Sequence, residues 1–195
     1  MEKIILASGS PQRRQLLDQV KLPYLAIAPM LDETIGESED GISLVKRLAA
    51  AKVSTVQSQL PEHRARWIAG FDTIIEYEKT VLGKPSKRKQ AKAMLESLAG
   101  KTHSVVTGLA LLPNIGAHTI VSACTSQVDL KPMSSDEIEF YLDTEEWRGA
   151  AGAYRIQGIG AMFVEAIRGS YSNIVGLPLS YFCGILGTAG YIFQS

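Results

Sequence analysis

The apolar run Ile4–Ala7 stops at Ser8-Gly9-Ser10-Pro11, and a stretch placing Leu16, Leu17 and Val20 on one helical face follows at once. Ser10 suits a helix N-cap, and Pro11 suits the first helical position, where its missing N–H is no loss. A strand that passes straight into a helix points to helices packed on a sheet. The remaining order agrees. Residues 24–28 read as a strand, Pro29 to Asp40 as an acidic loop, and a helix from Ser43 carries Leu44, Val45, Leu48, Val56 and Leu60 on one face. After a polar break at 61–66, residues 67–75 read as a buried strand and 76–82 as a turn with a short return strand. Ser86 is expected to cap a helix ending near Leu98, with Gly100 as its stop.

Residues 104–112 and 119–130 flank Pro113-Asn114-Ile115-Gly116 as an antiparallel hairpin. Ser134 and Glu137 form a capping box for a helix ending near Thr144. A glycine-rich loop at 149–160, a strand at 162–167, a loop at 170–178 and a helix at 179–187 complete the chain. This order predicts an α/β fold with a central mixed sheet, formed by residues 1–195 as a single domain.

Lys plus Arg equals Asp plus Glu, at 20 each, which argues against an extended nucleic-acid surface. Cys124 and Cys183 form no CxxC pair and no zinc-spaced cluster, which fits a reducing compartment. There is no basic leader and no apolar run of membrane-spanning length, so a soluble cytoplasmic protein without membrane contact is expected.

Six places could carry chemistry. In Ser8-Gly9-Ser10-Pro11-Gln12-Arg13-Arg14, free N–H groups of a helix start meet two arginines, a combination suited to phosphate. Cations at a helix N-terminus are mildly unfavourable unless an anion offsets them, which tilts the reading from a plain turn toward anion binding. Lys52 falls between Val45, Leu48 and Val56, inside the apolar arc of its helix. It either snorkels to solvent or faces a pocket or carboxylate. Asp72, beside Thr73, lies in an otherwise apolar strand and needs a cation, a metal or a cleft. An ion pair with a neighbouring lysine is the structural alternative. Asp32 and Glu33 could complete a carboxylate metal site, although such loops are commonly just solvated. Lys84, held extended before Pro85, and Gln157, an amide among glycines, are weaker signals. There is no Walker A loop and no histidine ligand spacing.

In order along the chain, LASGSPQRRQLL, RLAAAK, GFDTII, LGKP, THSVVTG, AGAYRIQG and GSYSNIVGLPL resemble the Maf family of nucleotide pyrophosphatases, in the superfamily that includes the inosine triphosphatases. The resemblance runs nearly end to end, and AGAYRIQG and GSYSNIVGLPL look like the branch acting on dTTP and UTP. It implies an elongated α/β fold with a central mixed sheet, a cleft between two lobes, and a homodimer. It implies Asp72 as catalytic carboxylate, Gln12, Thr73 and Gln157 as specificity residues, and Ser8, Arg13, Glu33, Lys52 and Lys84 lining the phosphate and metal region. Mg²⁺ or Mn²⁺ would be held by Glu33 and Asp72, and a nucleoside triphosphate would lose pyrophosphate. Two departures stand out. Gln12 occupies a position where the family usually has arginine, and Phe71 replaces a small residue; alternation along the strand would turn Phe71 away from Asp72. The alternatives are a 7-methyl-GTP or inosine triphosphate pyrophosphatase, or a cell-division regulator that acts by binding.

Overall fold

The computed structural model describes residues 1–31, 39–60, 66–114 and 117–193. Along the chain these form β1 (Ile4–Ala7), α1 (Pro11–Gln19), β2 (Tyr24–Ile27), α2 (Gly41–Ser58), β3 (Ile68–Tyr77), β4 (Thr80–Leu82) and α3 (Arg88–Leu98). Then come β5 (Thr102–Leu112), β6 (Ile120–Leu130), α4 (Ser135–Asp143), β7 (Val164–Arg168), α5 (Tyr171–Val175) and α6 (Leu179–Thr188). The strands form one sheet in the order β2-β1-β3-β5-β6-β7, with β4 paired to β3. β1 runs parallel to β2 and β3, while β4 on β3 and β7 on β6 are antiparallel. This is the mixed α/β sheet expected. No described helix is long and apolar enough to cross a membrane.

The parallel part explains where a site can form. From β1 the chain passes through α1 to β2 on one side, then returns through α2 to β3 on the other. Winding therefore reverses at β1, and open α/β sheets bind ligands beyond the carboxyl ends of strands at such a reversal. β1 itself is Ile4-Ile5-Leu6-Ala7, fully apolar and buried, as a strand covered on both faces must be.

The chain divides into two compact units: Met1–Asp72, Thr107–Cys124 and Gly176–Ser195 form one, Thr73–Val106 and Thr125–Val175 the other. In the first, Ala49, Val53 and Val56 of α2 pack on Ile5, Ala7 and Ile68. Two glycines set how closely. A Cβ at Gly70 would fall 2.6 Å from the Ala49 carbonyl oxygen, and one at Gly108 2.1 Å from that of Val45. Helix backbone rests directly on strand backbone, which only glycine permits. In the second unit, Leu95, Leu98, Tyr141, Leu142, Trp147 and Phe163 build the core.

Local boundaries moved where side chains competed for the caps. α2 starts at Gly41, two residues before the expected Ser43, because Asp40 accepts the Ser43 N–H at 3.0 Å and its hydroxyl at 2.6 Å. Ser86 does not cap α3; its N–H and hydroxyl both bond Gln90 Oε1, and Lys87 occupies the cap without a side-chain bond. The Ser134–Glu137 capping box is present as expected. The last strand begins at Val164 rather than 162, because a 3-10 turn takes Ile159–Phe163. The expected loop at 170–178 contains α5, whose first turn is held by Ser170 Oγ accepting the Asn173 N–H at 3.3 Å. The hairpin tip, Ile115 and Gly116, lies outside the described residues.

Candidate active site

Ala7, the last residue of β1, sits opposite Gly70 of β3. From that level β1 runs on into Ser8-Gly9-Ser10 and β3 into Phe71-Asp72, in the same direction because the strands are parallel.

Ser10 caps α1 by accepting the Arg13 N–H at 3.5 Å, and its hydroxyl donates to Gln12 Oε1 at 3.0 Å. Gln12 is thereby folded back on the cap. Ser8 Oγ accepts the Ser10 N–H at 3.2 Å and an Arg13 Nη1–H at 3.0 Å. A hydroxyl has two lone pairs and one proton. Both lone pairs of Ser8 are taken, and its proton meets no acceptor among the described residues, although Ser8 is only 4% exposed. A buried donor of this kind beside a helix N-terminus suits an anionic oxygen. Arg13 is buried too. Its Nε donates to the Gly176 carbonyl at 2.8 Å, and its guanidinium lies 5.9 Å from the Phe71 ring centroid. Arg13 thus braces the turn from beneath while bringing a positive charge to it.

Lys52 lies on the buried stripe of α2, and its Nζ donates to Asp72 Oδ1 at 2.6 Å. Of the sequence alternatives for each residue, the structure selects one that answers both: lysine and carboxylate meet. Asp72 Oδ2 accepts from no donor among the described residues. Phe71 turns elsewhere and packs edge-on against Phe182 at 5.2 Å. Arg47, exposed on α2, clasps Glu39 at 2.9 and 2.7 Å. The Glu39 hydrogen bond chiefly raises the Arg47 pKa, and the Asp72 charge adds to it.

In the other unit, Thr73 is half-buried, and Lys84 and Gln157 are exposed. The Gly152 N–H donates to the Gly83 carbonyl at 3.1 Å, joining the Lys84 turn to the glycine-rich loop. Gly152 has φ +64, and a Cβ there would lie 2.5 Å from Ile75 Cδ1, so glycine is required twice over. His103, unremarked by its spacing, bonds Tyr154 Oη through Nε2 at 2.8 Å, and burial lowers its pKa to about 4.

Glu33 lies outside the described residues, and among the described residues no three His, Cys, Asp or Glu side chains cluster to hold a metal. Asp72 still fits a hard cation, because Oδ2 is open and Mg²⁺ characteristically takes one or two carboxylates together with substrate phosphates.

The chain is 41% identical over 180 residues to a dTTP/UTP pyrophosphatase of Halalkalibacterium halodurans, covering 92% of each chain. Identity to a dTTP/UTP pyrophosphatase of Bacillus anthracis is also 41%, again over 92% of both chains. The structure of the Staphylococcus aureus Ham1 protein aligns with 66% of this chain and 72% of its own at 11% identity, with a TM-score of 0.41. The family described as Maf-like protein matches residues 3–189. With that match spanning nearly its whole length, the chain belongs to the Maf family.

Proposed function

We propose that this protein hydrolyses dTTP and UTP to the nucleoside monophosphate and pyrophosphate. The name shared by its relatives supports the substrate class, and the buried Lys52–Asp72 pair beyond the carboxyl end of β1 is the observation that carries the chemistry.

Asp72 orients a water molecule and accepts its proton as the water oxygen bonds to the α-phosphorus. The bond from that phosphorus to the bridging oxygen breaks, and pyrophosphate leaves with the electron pair. Lys52 pairs with Asp72 in a buried setting and presents positive charge to the departing oxygens. The Ser8 hydroxyl proton and the first N–H groups of α1 receive phosphate oxygens, with Arg13 supporting the turn. Lys84 meets phosphate, and Gln12, Thr73 and Gln157 bear on the choice of base. A divalent cation, Mg²⁺ or Mn²⁺, would be held by Asp72 and Glu33 and, when bound, neutralises phosphate charge.

Gln157 can offer an acceptor and a donor to the adjacent N–H and carbonyl of thymine or uracil; cytosine reverses that pattern. Pyrophosphate release from a panel of dTTP, UTP, CTP, ITP and 7-methyl-GTP tests the reading. Values of kcat/KM for dTTP and UTP should exceed that for CTP by at least about tenfold. A preference for ITP or 7-methyl-GTP overturns the substrate assignment, and no pyrophosphate from any nucleotide overturns the reaction.

A further inference from the structure

Gln157 stands on a turn gripped by a carboxylate that it does not touch. Glu146 Oε1 accepts the Ile159 N–H and Oε2 the Gly160 N–H, each at 3.1 Å. The Tyr141 hydroxyl oxygen accepts the Arg155 N–H at 3.1 Å. The chain is thus anchored on both sides of Gln157, by Tyr141 before it and by Glu146 after it. Between the anchors it curls tightly, with the Gly158 N–H donating to the Arg155 carbonyl at 3.3 Å. A Cβ on Gly158 would fall 1.8 Å from Glu146 Oε1, and one on Gly160 2.7 Å from the Arg155 oxygen. Glycine at 158 leaves room for the carboxylate, and glycine at 160 lets the chain fold closely onto the Arg155 backbone.

The carboxylate has this task to itself. Among the described residues no cation pairs with it; Arg148 pairs with Glu145 at 2.7 Å, and Arg155 donates to the carbonyls of Glu146 and Arg148 at 3.0 and 2.7 Å. Each backbone donor meets its own carboxylate oxygen, and glutamine in the same place would set a donor NH2 against one of the two N–H groups. Gln157 is exposed, and its amide makes no hydrogen bond among the described residues. The turn is rigid while its tip is open, as a base-reading group requires.

We propose that Glu146 is a positioning residue that fixes the Gln157 turn in the shape presenting the amide to the nucleobase. This rests on the reading of Gln157 as a base contact given above.

The test compares wild type, E146Q, E146D, Q157A and E146Q/Q157A, measuring kcat and KM for dTTP and CTP together with backbone amide exchange by NMR. E146Q should reduce the preference for dTTP over CTP by about tenfold, through KM for dTTP more than kcat. E146D, still acceptor-only, should recover part of it, and E146Q should add little in the Q157A background. Equal loss of kcat for both nucleotides, or full additivity with Q157A, overturns the proposal. If the wild type does not discriminate between the bases, the reading of Gln157 falls, and exchange decides the role of Glu146. Faster exchange at Ile159 and Gly160 in E146Q, with β5 amides unchanged, supports the anchoring; unchanged exchange at those two overturns it. Should E146Q not fold, E146D serves in the same comparison, with the same two results decisive.

Discussion

Lys52, in the middle of α2, reaches Asp72 on β3 at 2.6 Å, with the two side chains only 8% and 10% exposed. Removing the negative charge alone tests the reaction. Asp72→Asn keeps the shape and an acceptor for Lys52 but removes its counter-charge, so some stability should be lost while turnover of the folded variant falls by ~10²-fold or more. Pyrophosphate release beside a thermal melt checks this, and near-normal turnover in a folded variant rules out Asp72 as the base.

Removing the positive charge tests the pairing. Lys52→Met leaves the Asp72 carboxylate buried without its ammonium partner, and should destabilise the protein by about 3–5 kcal/mol in urea titration. Adding Asp72→Asn should restore much of the loss, because no uncompensated charge remains. An unchanged midpoint for Lys52→Met would mean that solvent already screens the carboxylate.

Metal dependence follows from the open Oδ2 of Asp72 and the polyanionic substrate. Chelation should abolish pyrophosphate release, and Mg²⁺ or Mn²⁺ should restore it. Full activity in thoroughly stripped protein would remove the cation from the proposed reaction.

Gly108→Ala should destabilise the fold by about 1–3 kcal/mol or more, because the new methyl meets the Val45 carbonyl rather than a yielding side chain. Gly184→Ala is the contrast. It lies in α6 with nothing within 4 Å of a Cβ, so it should be neutral or stabilising by up to about 1 kcal/mol. Equal denaturation midpoints for the two variants would refute the close helix–strand contact.

Burial lowers the His103 pKa from 6.5 to about 4, with the Asp129 charge opposing but losing. Above pH 6.5 the ring is neutral whether folded or not, so no penalty arises. Between about 6.5 and 4 the unfolded chain binds a proton that the folded one refuses, and stability is lost as pH falls. Integrated over that window the loss is about 3 kcal/mol. Urea titrations from pH 8 to 4 should show the decline, and His103→Phe should flatten it; the same slope in both proteins would place the titration elsewhere.

The turn after β1 was legible because three local rules agree on it: an apolar strand, a serine cap and a proline at the first helical position. Lys52 could be singled out from helical spacing, and Asp72 from its apolar neighbours. Their union could not, since it depends on how closely α2 lies on the sheet. That distance is set by Gly70 and Gly108 meeting backbone atoms of a remote helix. The grip of Glu146 was hidden for a related reason: its partners are N–H groups, and every residue but proline has one. Cap competition moved the starts of α2 and α3, because Asp40 and Gln90 use side chains that propensity does not weigh.

The bond from Gly152 to the Gly83 carbonyl stitches the turn bearing Lys84 to the loop bearing Gln157. A lineage under selection for a different base would reshape that loop, and the stitch would carry the disturbance to the lysine assigned to phosphate. Under the roles proposed for Lys84 and Gln157, affinity for the common triphosphate and choice among bases would then be inherited as one trait. Drift toward new substrates should show itself first as compensating changes around Gly83 and Ile75, before any change at Gln157 itself.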